Sequence, residues 1–272
     1  MKRSSRLAAL AWTALAGVFL LPVLWMILSS LKESNVEIFG RPLGLPRSWH
    51  PGNYARAIRA GRMADYLVNS LWVTGLTVAA TVYLGLWAGY ALSREHFPGR
   101  RLWHGLFFLG MILPVQATLI PLVALLERLG VQDSLWALIL PYTAQSLPVA
   151  ILLFSAWFAQ LPPELEEAAR LDGVSTGRFY SGILLPAAWP VAATVIVLTC
   201  LNTWNEFLMA LLFVVDPAMK TLPVGMIAFE QSHNTDYPAL LAGLTLISLP
   251  TLLVYLAFNR QVIRGVMAGT VK

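Results

Sequence analysis

Charge is what this chain of 272 residues has least of: 19 basic and 14 acidic side chains make up 12% of it, where a soluble domain carries about 25%. With 57% hydrophobic residues and a mean hydropathy of +0.66, a soluble globular domain does not fit. The single cysteine, Cys200, sits inside an apolar stretch, which leaves no intrachain disulfide and no cysteine-based metal cluster. Lysine is confined to Lys2, Lys32, Lys220 and Lys272, none of them in a Gly-rich loop before a helix. Without a G-x-x-x-x-G-K-[ST] string the chain cannot hydrolyse ATP through a P-loop of its own. The histidines His50, His96, His104 and His233 form no H-E-x-x-H pair, and neither a metal site nor an enzyme is expected. A net charge of +5 and a pI near 9.6 do not indicate nucleic acid, because the basic residues flank apolar runs instead of forming a patch.

What the chain does have is long stretches free of charge. Six of them, 7–31, 66–93, 102–126, 134–163, 179–205 and 237–259, each exceed the roughly 20 apolar residues that cross about 30 Å of hydrocarbon as a helix. They are apolar all round, so the short apolar–polar alternation of a transmembrane β-barrel is missing. The first run continues into FLLPVLWMILSSLK without a small-residue cleavage site and reads as a retained signal anchor. The expectation is an all-α polytopic membrane protein: a single transmembrane domain over 1–272 with six transmembrane helices near 8–30, 67–92, 102–126, 135–158, 187–213 and 238–258.

Six spans place both termini on one side of the membrane. Eleven basic residues fall on that side, Arg94, Arg100, Arg101 and Arg178 among them. Eight fall on the other, where Lys32, Arg41, Arg47, Arg56, Arg59 and Arg62 share one long loop. The positive-inside rule then puts both termini in the cytoplasm. Arg56, Arg59 and Arg62 recur every three residues and are expected on one face of a loop helix, turned to headgroups or to an external partner. Pro114, Pro121, Pro141, Pro148 and Pro250 lie within spans and predict kinked helices.

Between the fourth and fifth spans runs AQLPPELEEAARLDGVSTGRFYSGILLPAAWP. Pro162 and Pro163 suit a helix start, Glu164, Glu166 and Glu167 put acids in its first turn, and Ala168 and Ala169 are strong helix formers. Asp172 and Gly173 read as a turn, after which Ser175 or Thr176 caps a second helix through Arg178, Phe179, Tyr180 and Ile183 until Pro186. The adjacent alanines leave a low surface that another protein's backbone can approach, flanked by charges able to pair with it. An inert connector is the alternative.

Glu167-Ala168-Ala169, three residues, Gly173, nine residues, Ile183, one residue, Leu185-Pro186 matches every fixed position of the EAA loop of ABC importer permeases. LPPELEEAARLDG, Trp204-Asn205-Glu206-Phe207, Asn69-Ser70 and the terminal RQVIRGVMAGTVK further resemble the maltose-type (MalG-like) carbohydrate permease subfamily. The resemblance covers essentially the whole chain. It implies the ABC importer (type I, MetI-like) permease fold, with a core near 66–260, in a bacterial cytoplasmic (inner) membrane. It also implies that the loop is a coupling helix, about 163–183, docked in a cleft of a separate ATPase subunit. There Glu167 offers a charge, Ala168 and Ala169 allow close contact, and Asp172 and Gly173 turn the chain; Ile183, Leu185 and Pro186 complete the motif. The implied partners are ATP-binding cassette ATPase subunits holding ATP and Mg, a second, MalF-like permease subunit, an extracytoplasmic substrate-binding protein and the lipid bilayer. This chain itself needs no cofactor. The implied cargo is a sugar, oligosaccharide or sugar derivative. Glycerol-3-phosphate or another polar solute is the alternative within the family, and an ion-driven secondary transporter the alternative outside it.

Polar groups inside the spans are the remaining candidates. Glu206 ends the fifth run, roughly 28 Å from a start at Ala187 at about 1.5 Å per residue. Asn202, Asn205 and Glu206 stand at i, i+3 and i+4 on one helical face, with Trp204 available to stack on a sugar ring. Gln116, Tyr142 and Gln145 are further candidates for a substrate pathway. Helix–helix packing, or Glu206 snorkelling to the outer headgroups, would account for the same residues.

Overall fold

The computed structural model describes residues 2–60, 62–229 and 235–270; His233 and the end of the terminal string, residues 271 and 272, lie outside them. All regular structure among the described residues is helical. The helices are α1 (Lys2–Ser30), α2 (Asn35–Gly40), α3 (Gly52–Ala60), α4 (Met63–Arg94), α5 (Arg100–Ile112), α6 (Val115–Arg128) and α7 (Trp136–Phe158). After these come α8 (Glu164–Leu171), α9 (Thr176–Phe179), a π-helical turn (Tyr180–Leu184), α10 (Leu185–Ala187), α11 (Trp189–Trp204), α12 (Leu208–Phe213), α13 (Leu222–Gly225) and α14 (Tyr237–Thr270). Short 3-10 turns occupy Pro217–Met219 and Met226–Phe229.

Among the described residues, three helical stretches, Met63–Arg94, Trp136–Phe158 and Tyr237–Phe258, are long and apolar enough to cross a membrane unbroken, and the Gly17–Ser30 part of α1 is apolar as well. The expected spans 102–126 and 187–213 are not continuous. α5 and α6 meet at 105°. Leu113 precedes a proline, which disfavours the α region, and it takes φ −68, ψ 120 while Pro114 opens α6. Gly177–Ala187 and Trp189–Trp204 meet at 75°. Pro190 has no N–H to give the carbonyl four residues back, so a new helix starts with that proline in its first turn. The fifth span breaks again after Trp204 and resumes at Leu208. With each bent pair counted as one crossing, the described residues hold up to five candidate spans by length and composition.

The chain divides into two compact units, Met1–Tyr66 with Leu222–Pro250 and Leu67–Thr221 with Thr251–Lys272. In the first, side chains satisfy carbonyls freed where α1 ends. Asn53 Nδ2 donates to the carbonyls of Ser30 at 2.7 Å and Lys32 at 2.8 Å. Lys32 is fully buried, and its Nζ donates to the carbonyls of Arg41 at 2.7 Å and Pro42 at 3.2 Å, so carbonyl dipoles replace its water. Arg56 and Arg59 share α3, but Arg62 lies beyond it at φ +49 and pairs with Asp65 at 3.1 Å. The left-handed backbone at Arg62 turns the chain, and the expected three-arginine face is not formed.

Glu37 in the same unit accepts the Arg47 N–H at 2.7 Å and the Glu33 N–H at 3.0 Å. The Arg47 amide first, then the Glu33 amide, hold its carboxyl below the usual glutamate range. A folded-state pKa lowered in this way stabilises the loop above about pH 4 and ceases to do so as the pH falls through the folded value. Protection of the Arg47 and Glu33 amides against hydrogen exchange is therefore expected to drop in acid, and Glu37→Gln to remove that dependence. Identical pH profiles for the two proteins would refute the assignment.

In the second unit α4 approaches α7 at backbone distance. A Cβ placed on Gly85 would lie 2.8 Å from the Ala150 Cβ, and one on Gly89 2.6 Å from the Phe154 Cβ. Around this contact a core forms from Leu86, Tyr90, Phe154, Phe158, Tyr180 and Leu184, and Ala169 and Phe179 of the predicted coupling loop are buried in it.

Candidate functional site

The motif spacing has a geometrical cause. α8 begins as the Glu167 N–H donates to the Pro163 carbonyl at 3.2 Å, and it ends in a Schellman-type turn. Gly173 takes φ +68, and the Val174 N–H returns to the Ala169 carbonyl at 3.0 Å. Glycine is needed where the helix reverses, and that position is fixed four residues beyond the alanine whose carbonyl closes the turn. Val174 and Ile183 then pack against the same core as Ala169.

The two alanines do not share a face. Ala169 is buried against the chain's own core, whereas Glu164, Glu167, Ala168 and Leu171 are exposed, Leu171 to 89%. Asp172 and Gly173 are exposed beside them. The second helix runs from α9 through the π turn and α10 to Ala187, one residue past the expected end at Pro186. The Leu185 N–H reaches back five residues to the Tyr180 carbonyl, and this wider turn eases the clash by which proline breaks an α-helix. Ile183 is half-buried, and Leu185 and Pro186 are exposed. Residues 173–177 spell G-x-S-x-G, but a nucleophile elbow joins a strand to a helix, and here the string joins two helices.

A cavity of about 480 Å³ gathers part of the predicted pathway. Gln145, Asn202 and Glu206 line it together with Ser146 and Thr199, among apolar walls that include Val115, Val149 and Leu198. Thr199 extends the stripe of Asn202 and Glu206 by three residues toward the chain's N-terminus, and Ser146 adjoins Gln145. Both were legible as extensions of the chosen residues and were missed. The other candidates are elsewhere. Gln116 is exposed outside the lining, and Asn205 turns back to donate to the Leu201 carbonyl at 2.7 Å. Trp204 is only 4% exposed, which leaves its ring no face for a sugar.

Glu206 itself follows the end of α11 and does not continue the helix, so the expected i, i+3, i+4 face holds only in part. Its two carboxylate oxygens accept the N–H groups of Met209 at 2.9 Å and Ala210 at 3.1 Å, in the first turn of α12. The hydroxyl of buried Tyr142 donates to the same carboxylate. Tyr142 thus bears on the cavity through Glu206 without lining it. Glu206 has two tasks: it holds the broken span together and presents a carboxylate edge to the cavity. Among the described residues no group of three or more His, Cys, Asp or Glu side chains could hold a metal ion.

Comparisons with known proteins bear on the whole arrangement. Residues 81–267 match the family described as binding-protein-dependent transport system inner membrane component. The chain is 39% identical to a probable ABC transporter permease protein, YurM, of Bacillus subtilis, over 92% of this chain and 83% of that protein. It is 34% identical to the diacetylchitobiose uptake system permease protein NgcG of Streptomyces coelicolor, over 93% and 84% of the two chains. With the trehalose transport system permease protein SugB of Mycobacterium tuberculosis it shares 33% identity over 96% and 95%. Among solved structures it resembles a chain of a bacterial ABC transporter involved in the import of the acidic polysaccharide alginate, with TM-score 0.81 and 21% identity over 95% of this chain and 97% of that one. The latter likeness establishes the fold alone; together with the family match it is the MetI-like permease fold. The family match spans more than half of the chain, and the relatives exceed 30% identity along most of their length. The chain therefore belongs to the inner-membrane components of binding-protein-dependent transport systems, the non-catalytic permeases of ABC importers whose ATPase is a separate subunit.

Proposed function

We propose that this chain is a carbohydrate permease subunit that couples alternating access in the membrane to ATP hydrolysis on a partner. It acts as one transmembrane domain of six spans with both termini in the cytoplasm, paired with a second permease, and receives cargo from an extracytoplasmic binding protein. The observation that carries the coupling reading is the outer face of α8. Glu167, Ala168 and Leu171 are exposed there while Ala169 locks the helix to the core, so a rigid surface is offered to another protein. The relatives named for trehalose and diacetylchitobiose support a sugar as cargo. So does the cavity, whose polar lining of Gln145, Ser146, Thr199, Asn202 and Glu206 suits hydroxyl groups and includes no basic side chain to receive a phosphate.

The chain isolated from native membranes is expected to bring down a P-loop ATPase subunit, and the complex to take up neutral sugars in preference to glycerol-3-phosphate. Asn202→Ala and Gln145→Ala should each raise the half-saturating sugar concentration about 2- to 10-fold, the loss of one or two hydrogen bonds. Isolation of the folded chain without any P-loop subunit overturns the coupling reading. Unchanged uptake in both variants overturns the pathway reading.

A further inference from the structure

The predicted coupling loop is gripped at both of its ends by one helix, α4. At the entry, the Arg94 guanidinium donates to the Leu161 carbonyl, just ahead of Pro162 and Pro163. At the exit, Trp87 stacks on Tyr180 with ring centroids 4.0 Å apart and planes 18° from parallel. Tyr90 meets the same Tyr180 edge-on at 4.7 Å and Phe158 at 5.4 Å, which ties the exit to the end of α7 as well. Trp87, Tyr90 and Arg94 stand at i, i+3 and i+7, so the three grips share one face of α4.

The gripping end of α4 is stiff. A helix normally leaves its last carbonyls unpaired, and these fray. Here Arg100 donates from Nε to the Leu92 carbonyl at 2.7 Å and from Nη2 to the Ser93 carbonyl at 2.9 Å, and His104 Nε2 lies 2.9 Å from the Leu92 carbonyl. One turn further in, Gly85 and Gly89 bring α4 into backbone contact with α7. A loop fastened at entry and exit to one stiff helix cannot swing by itself, and a displacement applied to α8 is delivered to α4.

We infer that the Trp87–Tyr90–Arg94 face of α4 is the element that passes movement of the loop into the membrane spans, with Arg94 and Trp87 as positioning residues. The inference rests on the coupling reading of α8. It goes beyond that reading in naming residues outside both α8 and the cavity lining and in naming the span that receives the movement.

The test uses the complete transporter, this chain with its ATPase, second permease and binding protein, in proteoliposomes. Arg94→Ala and Trp87→Ala are expected to retain ATPase subunits at the wild-type ratio and to hydrolyse ATP, while sugar moved per ATP falls about 3- to 30-fold. Trp87→Phe keeps a stacking face and should recover most of that loss; a merely structural role would instead lower assembly and hydrolysis together. Wild-type sugar moved per ATP in both alanine variants overturns the inference, as does a parallel loss of assembly and transport that Trp87→Phe fails to relieve. Gly173→Val separates this failure from that of the reading beneath it. If Gly173→Val impairs transport and the α4 variants do not, only the inference falls. If Gly173→Val also transports normally, the coupling reading falls with it.

Discussion

Replacing Gly173 by valine is expected to lower ATP-driven uptake by more than about tenfold while the chain still reaches the membrane. At φ +68 an L-residue costs roughly 1–2 kcal/mol, and a β-branched one more. The Val174 to Ala169 bond, worth about 1 kcal/mol net, is lost if the turn opens. α8 has eight residues, too few to be stable by itself, so it has no reserve against a penalty of this size. A Cβ on Gly173 would meet nothing within 4 Å, which makes the effect one of backbone conformation and not of crowding. Asparagine, which tolerates left-handed backbone, should accordingly rescue: uptake is expected to fall in the order Gly173, Gly173→Asn, Gly173→Ala, Gly173→Val. Copurification of the ATPase should follow the same order. Equal uptake by the valine and asparagine variants would show that the left-handed turn has no part in coupling.

That turn was legible in the sequence because everything that makes it is local. An alanine-rich helix, a glycine four residues beyond its inward alanine and an apolar residue after the glycine lie within one short string, and helical period alone relates them. Which alanine faces inward was not legible, since it depends on Phe179, Tyr180 and Leu184 folding back over α8. The break at Leu113–Pro114 was hidden for a different reason: it lies inside a charge-free run, and a count of charge-free residues cannot tell a straight helix from two short ones meeting at 105°. The break after Trp204 falls instead where Glu206 ends such a run. Pro114 was read as a kink, and its larger effect comes from what it does to the preceding Leu113. In the cavity, Asn202 and Glu206 were found by spacing, but the spacing rested on a continuous helix. Glu206 lies in the break and still faces the cavity because its carboxylate is held by the N–H groups of α12. Trp204, the residue most attractive for sugar stacking, went into the core, where its large apolar area is removed from competition with solvent or lipid.

Gly85 and Gly89 form a G-x-x-x-G pair in α4, the small-residue spacing by which membrane helices come together. Their contact with α7 leads to the largest expected effect on stability, and α4 supplies its own control. A Cβ on Gly89 would lie 2.6 Å from the Phe154 Cβ and 3.1 Å from the Ser155 backbone nitrogen, neither of which can move aside without moving α7. A Cβ on Gly75 of the same helix would meet nothing within 4 Å. Alanine is a better helix former than glycine by about 1 kcal/mol, so Gly75→Ala should leave the melting temperature in detergent unchanged or raised. Gly89→Ala makes the same chemical change in the same helix and should lower it by several degrees, since overpacking costs about 1–3 kcal/mol. Gly89→Leu should yield little folded protein. Opposite signs for one substitution at two positions of α4 can come only from what each position faces. Equal shifts for Gly75→Ala and Gly89→Ala would mean that α4 and α7 are not in backbone contact, and α4 would then have no rigid partner through which to act.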